Sequence, residues 1–266
     1  MAINVNTVYQ TVLLILNKEQ RGYLTPNEFN KIATQVQLEV FEKYFEDLNQ
    51  QLRLPGNDNE YADRVEVLDE EISIFKTYGD AQYYSTDPLG PIDNPYFYLP
   101  SDVHRIGTVM YKGEQALQRT NRGEFLHLNM SKLTRPTTNY PMYIQENQVS
   151  PEDPLNPGSI LCDDCIRVYV YPEEIKKDVT LSYVRKPKDV IWAYVVGSQG
   201  QYVWDGAGVT GVIIPNTGSV DFELDATEQT KVILQILMYA GVVIRDPQIV
   251  QAAAAQVQAT EVNQKS

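Results

Sequence analysis

Thr25-Pro26-Asn27-Glu28-Phe29-Asn30 opens the stretch that decides the fold. Thr25 can cap a helix, Pro26 presets φ at the first helical position, and Glu28 stands at the third, the arrangement of a capping box. Phe29, Ile32, Val36, Val40, Tyr44 and Leu48 then recur every three or four residues. That is one apolar stripe of about seven turns at 3.6 residues per turn, and Leu54-Pro55-Gly56 stops it. Upstream, Asn4 or Asn6 can cap a shorter run carrying Val8, Val12, Ile15 and Leu16, which Arg21-Gly22 closes with glycine in the place helices favour. The short connection between the two predicts a helical hairpin.

Outward from that hairpin the period changes. Val65, Leu68, Ile72 and Phe75 predict a third helix before Gly79, and the Tyr-, Pro- and Asp-rich stretch from Tyr83 to Pro95 reads as irregular backbone. From Tyr96 the period is two. Arg105 to Tyr111, Ile166 to Tyr171, Val179 to Val184, Ile191 to Val196 and Val220 to Leu224 are rich in β-branched and aromatic residues and predict short antiparallel strands. Helix then returns. Asp225 caps it, Val232, Ile233, Ile236, Leu237, Ala240 and Val243 form the stripe, and Asp246-Pro247 breaks it before a second piece from Gln248 to Gln258 with the alanine run Ala252 to Ala255. The expected fold class is α+β: N- and C-terminal helices forming a helical bundle, with an inserted antiparallel β-rich domain. The expected parts are 1–95 helical, 96–224 β-rich, 225–259 helices completing the bundle, and a frayed tail over 260–266.

The chain has 266 residues, 43% of them hydrophobic and 21% charged, within the globular range. Its net charge of −13 argues against a phosphate-neutralising surface spread over the whole molecule. Residues 1–100 carry 7 basic and 16 acidic groups, 101–200 carry 12 of each, and 201–266 carry 3 and 7, so the charge changes where the period does. The opening Met-Ala-Ile-Asn-Val-Asn has no basic, apolar or cleavage region of a secretion signal. The longest apolar run, Val232 to Ile244, is interrupted by Gln235 and falls short of the roughly 20 residues that cross a bilayer, so no membrane association is expected. Two cysteines are too few for a disulfide scaffold, as expected of a chain assembled in a reducing cytoplasm.

Each motif with catalytic potential meets a physical objection. Gly206-Ala207-Gly208-Val209-Thr210-Gly211 spells G-x-G-x-x-G, but Val212-Ile213-Ile214-Pro215 follows where a helix should open toward a pyrophosphate. A glycine-rich hairpin loop is the better reading. Cys162-Asp163-Asp164-Cys165 is C-x-x-C, yet zinc would need His104 and His127, which lie far upstream without finger spacing, and two aspartates oppose thiolate formation. A tight acidic turn is preferred. Neither histidine is beside a nucleophile motif, and Asp69, Glu70 and Glu71 point different ways around a helix. No catalytic residue, cofactor or metal is expected.

Arg105, Lys112, Arg119, Arg122, Lys132 and Arg135 oppose only Glu114 and Glu124 between positions 105 and 135. This local +4 can meet a nucleic-acid backbone or an acidic partner. Few aromatics interleave it, so the preferred partner is the acidic helical part of another copy.

The motifs also carry a resemblance. Asn6-Thr7-Val8-Tyr9 and the run from Asn17-Lys18-Glu19-Gln20-Arg21-Gly22-Tyr23-Leu24 through Thr25-Pro26-Asn27-Glu28-Phe29-Asn30 resemble the opening of ring or collar proteins of short-tailed and crAss-like bacteriophages. Tyr98-Leu99-Pro100-Ser101-Asp102, Pro141-Met142-Tyr143-Ile144, the run Ile166 to Pro172 and the run Leu181 to Pro187 resemble the β insert of head-to-tail adaptors of the tail tubular protein A type. Asp221-Phe222-Glu223-Leu224-Asp225 leading into a C-terminal helix is similar too. The resemblance covers residues 1 to about 258 and rests on the order of the motifs.

It implies a non-enzymatic structural virion protein of the neck or tail region, a connector assembled in the host cytoplasm. Twelve copies would form a ring between the portal protein and downstream tail or ring proteins. Genomic DNA would pass through the lumen on ejection with non-specific contact only, kept from sticking by acidic residues. Three other classes compete: a peripheral virion or host-surface binding module using the Tyr-rich β region, an acidic hydrolase with a carboxylate site, and a cytosolic scaffold.

Overall fold

The computed structural model describes residues 2–18, 24–51, 64–84, 95–149, 160–205, 218–244, and 251, 254–256 and 258–259. The fold is mixed α+β. Two compact units divide it: the first is built from Met1–Ile74 together with Pro187–Ser266, the second from Phe75–Lys186. Both boundaries differ from the expected 95/96 and 224/225. Strands begin before Tyr96, and the described residues 187–205 and 218–224 fall in the unit that holds the helices.

In the first unit β1 (Ala2–Ile3) precedes α1 (Val5–Lys18), α2 (Pro26–Gln51) and α3 (Arg64–Ser73). The capping box at Thr25 forms as its residues dictate. The Thr25 N–H donates to Glu28 Oε2 at 3.0 Å, and the Glu28 N–H donates back to Thr25 Oγ1 at 3.4 Å. That hydrogen bonding holds the Glu28 carboxyl below its ordinary range, the Thr25 hydroxyl contributing most. Phe29, Val36, Val40 and Tyr44 are buried, as the stripe predicts, and so are Ala33 and Phe41 beside it. On α1, Val8, Val12 and Leu16 are buried, whereas Ile15 is turned out to solvent. The helix closures expected at Arg21-Gly22 and at Leu54-Pro55-Gly56 lie outside the described residues.

The first residues of the chain meet residues 221–225 in this unit. β1 pairs antiparallel with β13 (Phe222–Asp225), and Asp221 Oδ1 accepts the Val5 N–H at 2.8 Å, capping α1 from 216 positions away. Asp225 ends its strand and accepts the Thr227 N–H at 3.1 Å. Its carboxyl falls to about 2, chiefly through the Thr227 hydroxyl. A 3-10 turn, Ala226–Glu228, then leads into α5 (Gln229–Ile244), which packs against α1 and α2. Val232, Ile236, Leu237 and Ala240 are buried as expected, while Ile233 is only half-buried. Of the second C-terminal piece, residues 251, 254–256 and 258 are helical; the tail over 260–266 lies outside the described residues.

A polar row on α2 holds the returning chain. Asn30, Thr34 and Gln37 follow one another at helical spacing, and their partners Trp192, Val190 and Lys188 follow at strand spacing. Asn30 accepts the Trp192 N–H at 2.8 Å, Thr34 accepts the Val190 N–H at 3.1 Å, and Gln37 donates to the Lys188 carbonyl at 2.7 Å. Gln37 also accepts the Glu223 N–H at 2.8 Å. Lys188, Val190 and Trp192 are thereby held from α2, Ile191 forms an isolated antiparallel bridge with Val220, and the strand expected over Ile191–Val196 shortens to β11 (Tyr194–Val196), paired with β12 (Tyr202–Trp204).

The second unit holds two sheets. One has the order β2 (Lys76–Asp80), β10 (Val179–Arg185), β5 (Val103–Tyr111) and β6 (Gln115–Ala116). The other runs β3 (Gln82–Tyr84), β4 (Tyr96–Tyr98), β9 (Cys165–Tyr171), β8 (Met142–Val149) and β7 (Gln118–Arg119). All pairs are antiparallel except the short β7–β8 pair. Phe97, Val109, Val168, Val170, Val179 and Leu181, drawn from both sheets, share one core.

Three expectations fail here. Phe75 lies beyond the third helix, which ends at Ser73, and Gly79, expected to follow that helix as a break, lies within β2. The connection expected to be irregular from Tyr83 starts within β3, whose tyrosines pair with Phe97 and Tyr96. Phe125, His127 and Asn129, within the part expected to be β-rich, lie on a helix, α4 (Arg122–Met130).

Candidate functional site

The five-stranded sheet has two faces, and they differ in what covers them. Phe97 and Val168 point into the shared core, so Tyr96 and Tyr169, one position away, point to the opposite face. There they join Ile144 and Phe125 in a second, smaller cluster. Phe125 is the one buried side chain of α4 and stacks on Tyr171 with ring centroids 4.0 Å apart. Arg122, at the start of α4, forms an ion pair with Glu146 of β8, and Arg167 lies 4.9 Å over the Tyr96 ring. Burial pushes Tyr96, Tyr98, Tyr143 and Tyr171 above the ordinary tyrosine range. Most of the tyrosine-rich region is therefore packed, and Tyr78 and Tyr140 are its well-exposed members.

α4 is fixed by one face only. Leu126 is 57% exposed, Met130 82% and Leu133 97%, with Tyr140 at 79%. Leu126 and Met130 are four residues apart on one side of the helix. The segment after it is tied back: Thr134 Oγ1 donates to the Leu128 carbonyl at 2.8 Å, and the Arg135 N–H to the Ser131 carbonyl at 3.0 Å. The Tyr140 N–H closes a turn on Thr137 O at 3.0 Å. The exposed side chains thus stand on an ordered tip, flanked by the exposed cations Lys132 and Arg135.

In the first unit α3 presents the opposite chemistry. Ile72 faces inward, while Glu66, Val67, Glu70 and the following Ile74 are exposed, with Val67 at 51% and Ile74 at 46%. Beneath that surface lies a cluster of titratable groups. Lys231 Nζ is 3.0 Å from Glu228 Oε2, both side chains almost buried. Burial raises the Glu71 carboxyl from its ordinary 4.5 to about 7, with Glu228 adding to the rise and Lys231 opposing it. Burial likewise drives the Tyr44 hydroxyl far above its usual range, helped by Glu228 and Glu71.

The other motifs are not brought together. His104 is in β5 and His127 is exposed on α4. Cys162 and Cys165 are brought together around an acidic turn in which Asp164 takes φ +51°. Gly206 to Gly211 lie outside the described residues. Asp69 and Glu70 are exposed and Glu71 faces inward, so the three carboxylates do not converge. Among the described residues no group of three or more His, Cys, Asp or Glu is placed to hold a metal ion, and no helix is long and apolar enough to cross a membrane. An open cleft of about 630 Å³ beside β10 is lined by Lys112, Lys176 and Lys177 but also by Asp80 and Asp178, a mixture without a dominant sign.

The basic residues between 105 and 135 are all exposed, on β5, the turn after it, β7, α4 and the tip that follows α4. Divided by unit, the charges are 10 basic against 21 acidic in the first and 12 against 14 in the second. Sequence reasoning located the cations but missed the exposed leucines and methionine, because apolar residues in a stretch without a clear period give no sign of which way they face. Compared with protein-family models and with curated proteins, the chain matches none.

Proposed function

We propose that the chain is a structural subunit of a head-to-tail connector. Twelve copies form a ring beneath the portal in the neck of a bacteriophage virion, a downstream tail or ring protein docks below, and genomic DNA passes through the lumen. In this reading the helices at both ends of the chain make one bundle and the β-rich part is an insert in it.

The observation that carries the proposal is the asymmetry of the surface. One chain bears an acidic helical face with apolar side chains at its centre and a basic tip with exposed leucine and methionine, two different and complementary patches. Unlike patches on one chain generate head-to-tail contacts, which close into a ring when the rotation from copy to copy divides a full turn and otherwise continue as an open filament. The order of motifs along the sequence supports the same reading. The packing of most tyrosines weighs against the recognition module, which needs them exposed. The acidic surface of the helical unit suits a channel through which DNA slides, since phosphate neutralisation is what holds a duplex.

Electron microscopy of the purified chain with and without portal protein tests the proposal. Rings with an open centre that stack on the portal are expected. A chain that stays monomeric and never joins a portal overturns it.

A further inference from the structure

We propose that the α4 tip of one copy docks on the α3 face of the next, so that this pair of surfaces is the subunit interface of the assembly. The inference rests on the connector reading for the existence of an assembly and on the two surfaces for its chemistry. The tip offers Leu126, Met130 and Leu133 with Lys132 and Arg135 beside them, and the face offers Val67 and Ile74 with Glu66 and Glu70.

The physical case has three parts. First, α4 is held to its own sheet through Phe125, stacked on Tyr171, and through Arg122, which pairs with Glu146 and lies over the Tyr169 ring. Its outward side chains contribute nothing to that anchoring, yet they are the most exposed large apolar groups of the helix. Exposed apolar clusters of this kind mark interaction sites. Second, the tip is ordered before any partner arrives, through the Thr134–Leu128 and Arg135–Ser131 hydrogen bonds, which lowers the entropy lost on docking. Third, the charges select the occupant. A basic, apolar tip repels its own kind and fits an acidic, apolar helix, and α3 of a second copy presents both features. Because tip and face are different surfaces, the contact is heterologous, and each copy keeps one unused half for a further neighbour.

The pairing makes a test by charge exchange possible. A chain with Lys132→Glu and Arg135→Glu has two acidic surfaces, and a chain with Glu66→Lys and Glu70→Lys has two basic ones. Each should need roughly tenfold or more higher concentration to assemble, as expected when close interfacial charge pairs are reversed. Mixed in equal amounts, the two should recover wild-type assembly as an alternating oligomer, because every tip then meets a face of opposite sign. The four substitutions combined in one chain should recover it as well. Mass photometry across a concentration series reads all four samples. Leu133→Ser is a second probe at a fully exposed side chain, expected to weaken assembly several-fold while leaving the melting temperature unchanged.

Assembly of either charge-reversed chain at wild-type concentrations would overturn the interface, as would a mixture that stays dissociated or a Leu133→Ser chain that assembles normally. Those results leave the connector reading standing, since portal binding is its separate test. A wild-type chain that is monomeric throughout overturns the interface, and if it also binds no portal, the connector reading falls with it.

Discussion

Glu71 shows how one side chain can carry pH dependence. Its carboxyl is half-buried among Glu228, Asp225 and Asp47, with Lys231 as the opposing cation, and it holds its proton up to about 7. The native state therefore keeps a proton that the unfolded chain releases near 4.5. The sign follows: stability from this group is greatest in acid and falls as pH rises from about 4.5 to about 7. Glu71→Gln removes that slope, so its urea midpoint should gain on the wild type between pH 5 and pH 8. A difference that stays constant over that range contradicts the assignment. Gln37 is a second case. Its side chain satisfies both the Lys188 carbonyl and the Glu223 N–H, and leucine would leave the two without their partner at a cost of about 1–3 kcal/mol each. Denaturant unfolding of Gln37→Leu checks this, and a change below about 0.5 kcal/mol would mean that other groups compensate.

At the scale of elements, strength of local signal decided what the sequence revealed. The capping box of α2 has a mechanism visible in four residues and forms as expected; Thr25→Ala should cost about 1 kcal/mol in chemical unfolding. The strand from Val179 was legible because its buried side chains alternate, and the one from Ile166 because β-branched and aromatic residues run through it. β2 and β3 were not, since Gly79 and a run of polar residues and tyrosines hide the period, and only pairing with β10 and β4 makes them strands. α4 was missed because Phe125 alone faces inward, and one buried residue in nine has no period to read. Asn30, Thr34 and Gln37 gave no signal in the sequence, because the backbone they hold arrives 151 to 162 positions later. Gly107 shows a constraint of the same long range. It is the unpaired residue of a bulge in β5, between Ile106 opposite Tyr183 and Thr108 opposite Ser182. A Cβ there would lie 2.8 Å from the Ser182 carbonyl oxygen. Gly107→Ala should therefore destabilise the second unit by about 1–3 kcal/mol, measured by thermal unfolding of the purified variant; an unchanged melting temperature contradicts the crowding.

At the scale of the molecule, connectivity sets what can be separated. The ends of the second unit meet, with the Arg185 N–H donating to the Phe75 carbonyl at 2.9 Å and Lys76 opposite Val184 in the sheet. A fragment spanning 75–186 should fold alone, with dispersed amide resonances and a cooperative melt. The first unit is made of two distant stretches of chain and should not survive loss of either. The candidate assembly surfaces were legible by half: the sequence displays the cations of 105–135 and the acids of α3, but the apolar side chains among them became visible as surface only once α3 and α4 were seen to bury one face each.

The central claim is that this surface asymmetry builds a ring on a portal. Cryo-electron microscopy of the chain incubated with portal protein measures it directly. The account predicts a closed ring of twelve copies around an open channel, stacked coaxially on the portal, with α4 of each copy against α3 of its neighbour. Monomers scattered beside bare portals would contradict it.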